Sequence, residues 1–362
     1  MSADDLAQFV SAVSGEDPLA VEERFCDGFV RLRVAEAERR QAKHDIRCVE
    51  DVVIEMLRNA RDAHAHIVFV ATAKSDSTRT LVFCDDGDGI PPEMHERIFE
   101  PRVTSKLESM VMDRWGVHGR GMALYSIKMN ATDALVKSSG RGLGSSIAAT
   151  LDTTSVPERT DQSTMPELDT DDDGTLVVSR GPHNIVRTVV EFALESSGTV
   201  DVFLGSPADV VAAMVARGRR MLDDKSLLFT DDISELGVCL RPAAAADATE
   251  LAAVASSLGL DISERTAHRI LAGQIEPCTQ PLADLTRRAH RSRDTRRTGG
   301  GEVLADGRGL KIAPDDMARF VGALESAFEP IAEGYFVNLS GKPKVRVGRD
   351  AISVSFPIDK ER

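Results

Sequence analysis

Residues 55–63 read EMLRNARDA, and residues 82–91 read VFCDDGDGIP. In the first stretch Glu55, Asn59 and Asp62 stand at i, i+4 and i+7, so on a helix they share one face. Val49, Val52, Met56, Ala60 and Ala63 recur around them at three- and four-residue spacing, which predicts an amphipathic helix over 49–65. One side of that helix buries in a core, and the other turns an amide and two carboxylates toward a cleft. These are hard oxygen donors of the kind Mg²⁺ accepts. A carboxylate beside a bound phosphate is also placed to take a proton from water. Solvated helix faces carry the same residue types, so the helix alone names no chemistry.

Two apolar runs follow, HIVFVATA (66–73) and TLVFCDD (80–86), with polar KSDSTR between them. Their length and β-branched content predict neighbouring strands joined as a hairpin. Asp85 then ends a strand, where its carboxylate is placed to accept a hydrogen bond from an exocyclic amine. Gly87 and Gly89 allow the chain a close approach that side chains forbid. A short helix is expected around Glu93–Phe99, an irregular glycine-rich stretch over 101–121, and a helix over MALYSIKMNA (122–131). In WGVHGRGM (115–122) glycines run into that helix start, where free N–H groups and the dipole favour phosphate. DALVKSS (133–139) and GSSIAATLD (144–152) close the segment as strands. The expected fold is α+β, a two-layer sandwich with helices on one face of a mixed sheet.

Singly, each motif has an ordinary explanation; their order gives them meaning. EMLRNARDA resembles the N box of the GHKL (Bergerat-fold) ATPases, VFCDDGDGIP their first glycine box, and GVHGRGMAL their second. GSSIAAT resembles the closing box, with Ser in place of Thr. The resemblance covers roughly 45–150 and implies an ATP site. It makes Glu55 the base that activates water, Asn59 the Mg²⁺ ligand, and Asp62 and Ala63 supports on the same helix. Asp85 becomes the acceptor for the adenine amino group, with Gly87, Gly89 and Ile90 beside the base. Gly116, Val117, His118, Gly119, Arg120, Gly121 and Met122 become the phosphate lid, with Lys106 adding a contact. Ser145 or Ser146 would reach adenine.

Within the superfamily, NARDA, VTSK and GVHGRGMALYSI are closest in style to MutL and to the topoisomerase VI B subunit. Such relatives hydrolyse ATP to drive dimer closure, and a later domain supplies a lysine, here Lys342 or Lys344 of GKPKVRV. IFEP (98–101) instead resembles the F box of histidine kinases, which leaves a signalling kinase as an alternative. His44 lies too few residues before Glu55 to serve as its phosphoacceptor. A third reading is a DNA-binding regulator switched by ATP.

The chain has 362 residues, 42% of them hydrophobic and 4% aromatic, with a net charge of −14. That length predicts more than one domain, and the charge argues against whole-surface attraction to nucleic acid or anionic membrane. The acidic N-terminus and the lack of a long apolar run predict neither a secretory signal nor a membrane span. Cys26, Cys48 and Cys84 read as small buried hydrophobes, and a reducing, cytoplasmic setting is expected. The expected organisation is a helical extension over 1–45, the ATP-binding domain over 46–151 and an acidic linker over 152–174. A β-α-β-α region over 175–241, a helical region with an Arg-rich loop over 242–301 and a C-terminal α/β segment over 302–362 follow. Within 18–45, Phe25, Phe29, Leu32 and Val34 suggest a helical stripe. ELAAVASSLGLDISERTAHRILAG (250–273) loosely resembles a helix-turn-helix. With the arginines that follow, 250–297 would meet DNA phosphates or a protein partner.

Overall fold

The structure, a computed structural model, describes residues 21–105, 111–113, 116–118, 121–159, 161–171, 175–222, 232–288, 313–335, 337–347 and 352–360. It falls into two compact units, Met1–Asp294 and Thr295–Arg362.

The first unit is built on a five-stranded mixed sheet. Its strands are β3 (Ile67–Ser75), β4 (Thr78–Asp85), β8 (Asp133–Ser139), β9 (Ser145–Asp152) and β12 (Asp201–Gly205). They lie in the order β12-β3-β4-β9-β8. β12 runs parallel to β3, and the remaining neighbours are antiparallel. The period-two side-chain alternation of strands divides the core in two. Val68, Val70, Leu81, Phe83, Ile147 and Ala149 point to one face, and Phe69, Ala71, Val82, Cys84 and Ala148 to the other.

Helix α2 (Val49–Asp62) lies on the first face through Val49, Val52, Val53, Met56, Leu57 and Ala60, as its apolar periodicity predicts. α3 (Ala123–Asn130) and α4 (Ile185–Glu195) share that layer through Ile127, Val189 and Phe192. The expected sandwich is thus present, but the sheet is covered on both sides. α5 (Pro207–Met221), α7 (Ala248–Ser257) and α8 (Glu264–Leu271), with the short α6 (Arg241–Ala244) between them, follow β12 in the chain. Val210, Met214, Leu251, Ala255, Ala267 and Ile270 pack on the second face. Residues 175–241, expected as a region apart, therefore supply an edge strand of the same sheet and a helix on each of its faces.

Two further expectations change. The helix expected over 18–45 is a hairpin of β1 (Val21–Arg24) and β2 (Val30–Leu32), then α1 (Glu36–Asp45). Asp27 and Gly28 adopt φ of 52° and 75°, which reverses the chain where a helix would have continued. Val30 and Leu32 are buried and Arg31 is only half-buried between them, so the period is two and not 3.6. β2 also pairs with β5 (Val103–Thr104), which ties the N-terminal segment to the nucleotide-box region. Cys26, in the turn, is only half-buried where it packs against the core, whereas Cys48 and Cys84 are buried.

The stretch expected as a solvated linker is anchored. Val156 is buried, Glu158 accepts from Lys74 at 2.7 Å and also from Arg79, and Gln162 donates to the buried Glu50 at 2.5 Å. β10 (Glu167–Thr170) pairs with β11 (Leu176–Arg180).

The second unit holds α9 (Pro314–Tyr335) and two strand pairs, β13 (Val337–Leu339) with β16 (Ile358–Lys360) and β14 (Lys344–Val347) with β15 (Ile352–Ser355). Phe328 stacks on Phe356 at 4.9 Å. Lys342 and Lys344 belong to this unit. No helix among the described residues is long and apolar enough to cross a membrane.

Candidate active site

A cavity of about 440 Å³ opens between α2, the ends of β4 and β9, and the start of α3. That is the size range of a nucleotide-scale ligand site. Glu55, Asn59 and Asp62 all line it, as their shared helix face requires, together with Ala63, Asp85, Gly89, Ile90, Gly121, Met122 and Ser145. The residues quoted from distant parts of the sequence therefore meet around one hollow.

At one end, Asp85 closes β4 and is 5% exposed. The hydroxyl of Ser145, its register partner on β9, donates to Asp85 Oδ2 at 2.5 Å. The Gly87 N–H donates to Oδ1 at 2.9 Å. Burial pushes the Asp85 carboxyl up to about 6, against the pull of these two donors. Gly89 turns the chain here with φ of 75°, and a Cβ on it would meet the Gly140 carbonyl oxygen at 1.9 Å. Gly87 is packed differently from expectation. It is buried against the end of α2, where a Cβ would meet the Ala63 carbonyl oxygen at 2.4 Å. Its smallness serves helix–strand packing.

The paired serines separate. Ser145 faces the cavity, whereas Ser146 is 0% exposed and points through the sheet to the other side. There its hydroxyl donates to the Leu258 carbonyl at 2.7 Å and sits 3.3 Å from Cys84 Sγ. Alternation along β9 makes it impossible for both to reach one ligand, so Ser146 leaves the candidate set.

At the other end, Glu55 accepts from Arg58 Nη1 at 2.6 Å. Burial raises the Glu55 carboxyl above its usual range, only partly offset by the Arg58 charge. A base moved toward neutrality is better matched to proton abstraction near pH 7. Asn59 Nδ2 is buried with no hydrogen-bond partner among the described residues, an orphaned donor on the cavity wall. No group of three or more His, Cys, Asp or Glu among the described residues is arranged to hold a metal. A cation here would take the Asn59 amide oxygen plus ligand oxygens, the pattern Mg²⁺ tolerates.

The glycine-rich stretch forms a hairpin of β6 (Val111–Asp113) and β7 (Gly116–His118), with Gly116, Val117 and His118 all on β7. Gly121 then accepts from the Arg102 N–H at 2.9 Å and leads into α3. Lys106, Gly119 and Arg120 lie outside the described residues. Several lining residues were not anticipated. Phe29, Gln41 and Asp45 come from the N-terminal segment and reach the cavity only through tertiary folding, and Arg47 comes from the connection into α2. Arg58 does carry a sequence signal, its i+3 spacing from Glu55.

The family described as histidine kinase-, DNA gyrase B- and HSP90-like ATPase matches residues 46–175. This stretch is a GHKL-type ATPase domain. The DNA mismatch repair protein MutL of Thermus aquaticus is 42% identical over 85 residues, which is 23% of this chain and 15% of that protein. MutL of Thermus thermophilus is 42% identical over 83 residues, again 23% and 15%. The matched part thus spans about one-seventh of these relatives' length. A solved structure, full-length ShkA in complex with AMPPNP, covers 56% of this chain and 46% of its own at 16% identity. Its TM-score of 0.22 is too low to bear on the GHKL domain's fold.

Proposed function

We propose that this GHKL domain hydrolyses ATP in the 440 Å³ cavity, with adenine at the Asp85 end and the triphosphate along α2. The observation that carries the reading is that Asp85 and the Glu55–Asn59–Asp62 face line one and the same hollow. Asp85 accepts from the adenine amino group, and the Ser145 hydroxyl holds that carboxylate. Ile90 packs beside the base, and Gly89 lets the backbone turn under it. Glu55 takes the proton of the attacking water, and Asp62 and Ala63 support the same helix end. Gly116 to Met122, with Lys106, wrap the phosphates. Asn59 holds Mg²⁺ through its amide oxygen and offers its orphaned N–H to a phosphate oxygen. The metal, when bound, neutralises charge on the phosphate oxygens.

The output of hydrolysis in this reading is a conformational change, with lid closure and pairing of two copies. A kinase output would leave the same cavity intact and differ only in where the phosphate goes. Exposed Arg265, His268 and Arg269 share one face of α8, which favours a polyanionic or acidic partner over residues 250–297. Of that range, 289–297 lies outside the described residues.

The test is phosphate release by the full chain and by Glu55→Gln, each with and without duplex DNA. Glu55→Gln should lose about 10²–10⁴-fold in turnover while still binding AMPPNP. Wild-type turnover in that variant would remove Glu55 from the chemistry. Label moving from ATP to protein, and not to free phosphate, would replace the hydrolase by a kinase. Turnover indifferent to DNA at any salt concentration would remove the DNA partner.

A further inference from the structure

One arginine joins Glu55 to the hairpin within the glycine-rich stretch. Arg58 is 4% exposed. Its guanidinium is divided between two acids. Nη1 donates to Glu55 Oε1 at 2.6 Å, Nε donates to Asp113 Oδ2 at 2.8 Å, and Nη2 donates to Asp113 Oδ1. Arg61, one turn further along α2, also reaches Asp113 Oδ2 at 3.4 Å. The Asp113 side chain is 3% exposed, although it comes from a three-residue strand 55 positions away in sequence.

The geometry makes this a mechanical link. A guanidinium is planar, so fixing two of its N–H groups in a fork on Asp113 fixes the direction of the third toward Glu55. Asp113 pairs with Gly116 across the hairpin, and Met112 and Val111 pair with Val117 and His118. Any displacement of β7 is therefore passed to Asp113 through the ladder. The other acids facing Glu55 are Asp113 itself and Asp45 at the end of α1. With Arg58 turned away, Glu55 would stand among carboxylates with no counter-charge from its own helix turn.

We propose that Arg58 and Asp113 are positioning residues, which hold Glu55 in its working orientation. The proposal rests on the reading of Glu55 as the base. It assigns a role to an ion pair that is otherwise only a buried structural contact.

The experiment measures kcat and KM for ATP, and AMPPNP binding by calorimetry, in the full chain and in Asp113→Asn, Arg58→Lys, Glu55→Gln and Glu55→Gln/Asp113→Asn. Asp113→Asn keeps the shape and weakens the fork; Arg58→Lys keeps the charge and removes the fork. Both should lower kcat by about 10–100-fold, as a misplaced catalytic group does, with KM and AMPPNP affinity within about threefold. Asp113→Asn should cost nothing further once Glu55 is Gln, because the two then act as one unit. A merely structural contact would move affinity and thermal stability along with kcat. The proposal is overturned if Glu55→Gln abolishes turnover while Asp113→Asn keeps wild-type kcat, or loses affinity in step with it. Should Arg58→Lys fail to fold, the isosteric Asp113→Asn decides alone. Wild-type turnover in Glu55→Gln is a different failure, which removes the base itself.

Discussion

Asp85→Asn should make this protein more stable and its cavity a poorer nucleotide site. The carboxyl of Asp85 is 5% exposed, and burial lifts it from 3.8 to about 6. A displacement of about two pH units corresponds to ~3 kcal/mol. The sign follows from comparing the two states. Below pH 4 the carboxyl is protonated in both, and no penalty exists. Between about 4 and 6 the unfolded chain gives up its proton first, so stability falls as pH rises. Above about 6 the folded protein carries the whole cost. The Asn amide carries no charge and removes it. Its oxygen still accepts from Gly87, and its N–H₂ donates to the Ser145 hydroxyl, which rotates to accept. The variant should therefore gain up to ~3 kcal/mol at pH 8 and nothing at pH 4. For a unit of this size each kcal/mol is worth roughly 2–4 °C in Tm. Affinity moves the other way, because a hydrogen bond to a charged acceptor is worth ~1.5–3 kcal/mol, or about 10–150-fold in Kd. Urea melts at pH 4.5, 6 and 8, paired with AMPPNP calorimetry, measure both. Wild-type affinity should weaken as pH falls through about 6, and the variant's should stay flat. A stability gain that does not grow with pH would refute the buried-carboxylate argument. Wild-type affinity constant from pH 5 to 8 would refute the adenine assignment.

Two substitutions separate packing from binding. Gly89→Ala places a Cβ 1.9 Å from the Gly140 carbonyl at a φ of 75°, so it should cost at least ~2 kcal/mol and weaken AMPPNP binding, read by melts and calorimetry. Ser146→Ala leaves the buried Leu258 carbonyl without its donor, which should cost ~1–3 kcal/mol while AMPPNP affinity at saturating folded protein stays at the wild-type level. A loss of affinity without loss of stability would return Ser146 to the site.

The strands β3, β4, β8 and β9 were legible from their length, β-branched content and the turn residues that bound them, and α2 from its 3.6-residue apolar period. The site was legible for the same reason. Glu55, Asn59 and Asp62 need only a helix to share a face, and Asp85 needs only to end a strand. What escaped had to be assembled in three dimensions. The hairpin in 21–32 hides in a helix-favouring composition, and the Asp27-Gly28 turn overrides that propensity. Asp45 and Arg47 reach the cavity from the end of α1 and the connection into α2, where no local pattern marks them. Asp113 sits in a stretch whose composition reads as loop, so its burial against Arg58 has no local signature.

The second helical layer changes what the ATPase motifs can be said to specify. The matched family stretch ends at residue 175, yet the sheet it describes is incomplete there. β12 supplies five ladder positions to β3 from residues 201–205. Phe69, Ala71, Val82, Cys84 and Ala148 are covered by residues that all come after 200, Phe203 of β12 and the helices and turns that follow it. Exposing such a row of apolar side chains and a bare strand edge invites association with other chains. Neighbouring residues of one strand make the dependence specific. Ser145 holds the acid proposed for adenine, and Ser146, directly after it, is bonded to the turn between α7 and α8. Side chains on opposite faces of β9 thus share one backbone. The strand that carries the proposed adenine contact is therefore finished on its other face only by residues that the family match does not reach.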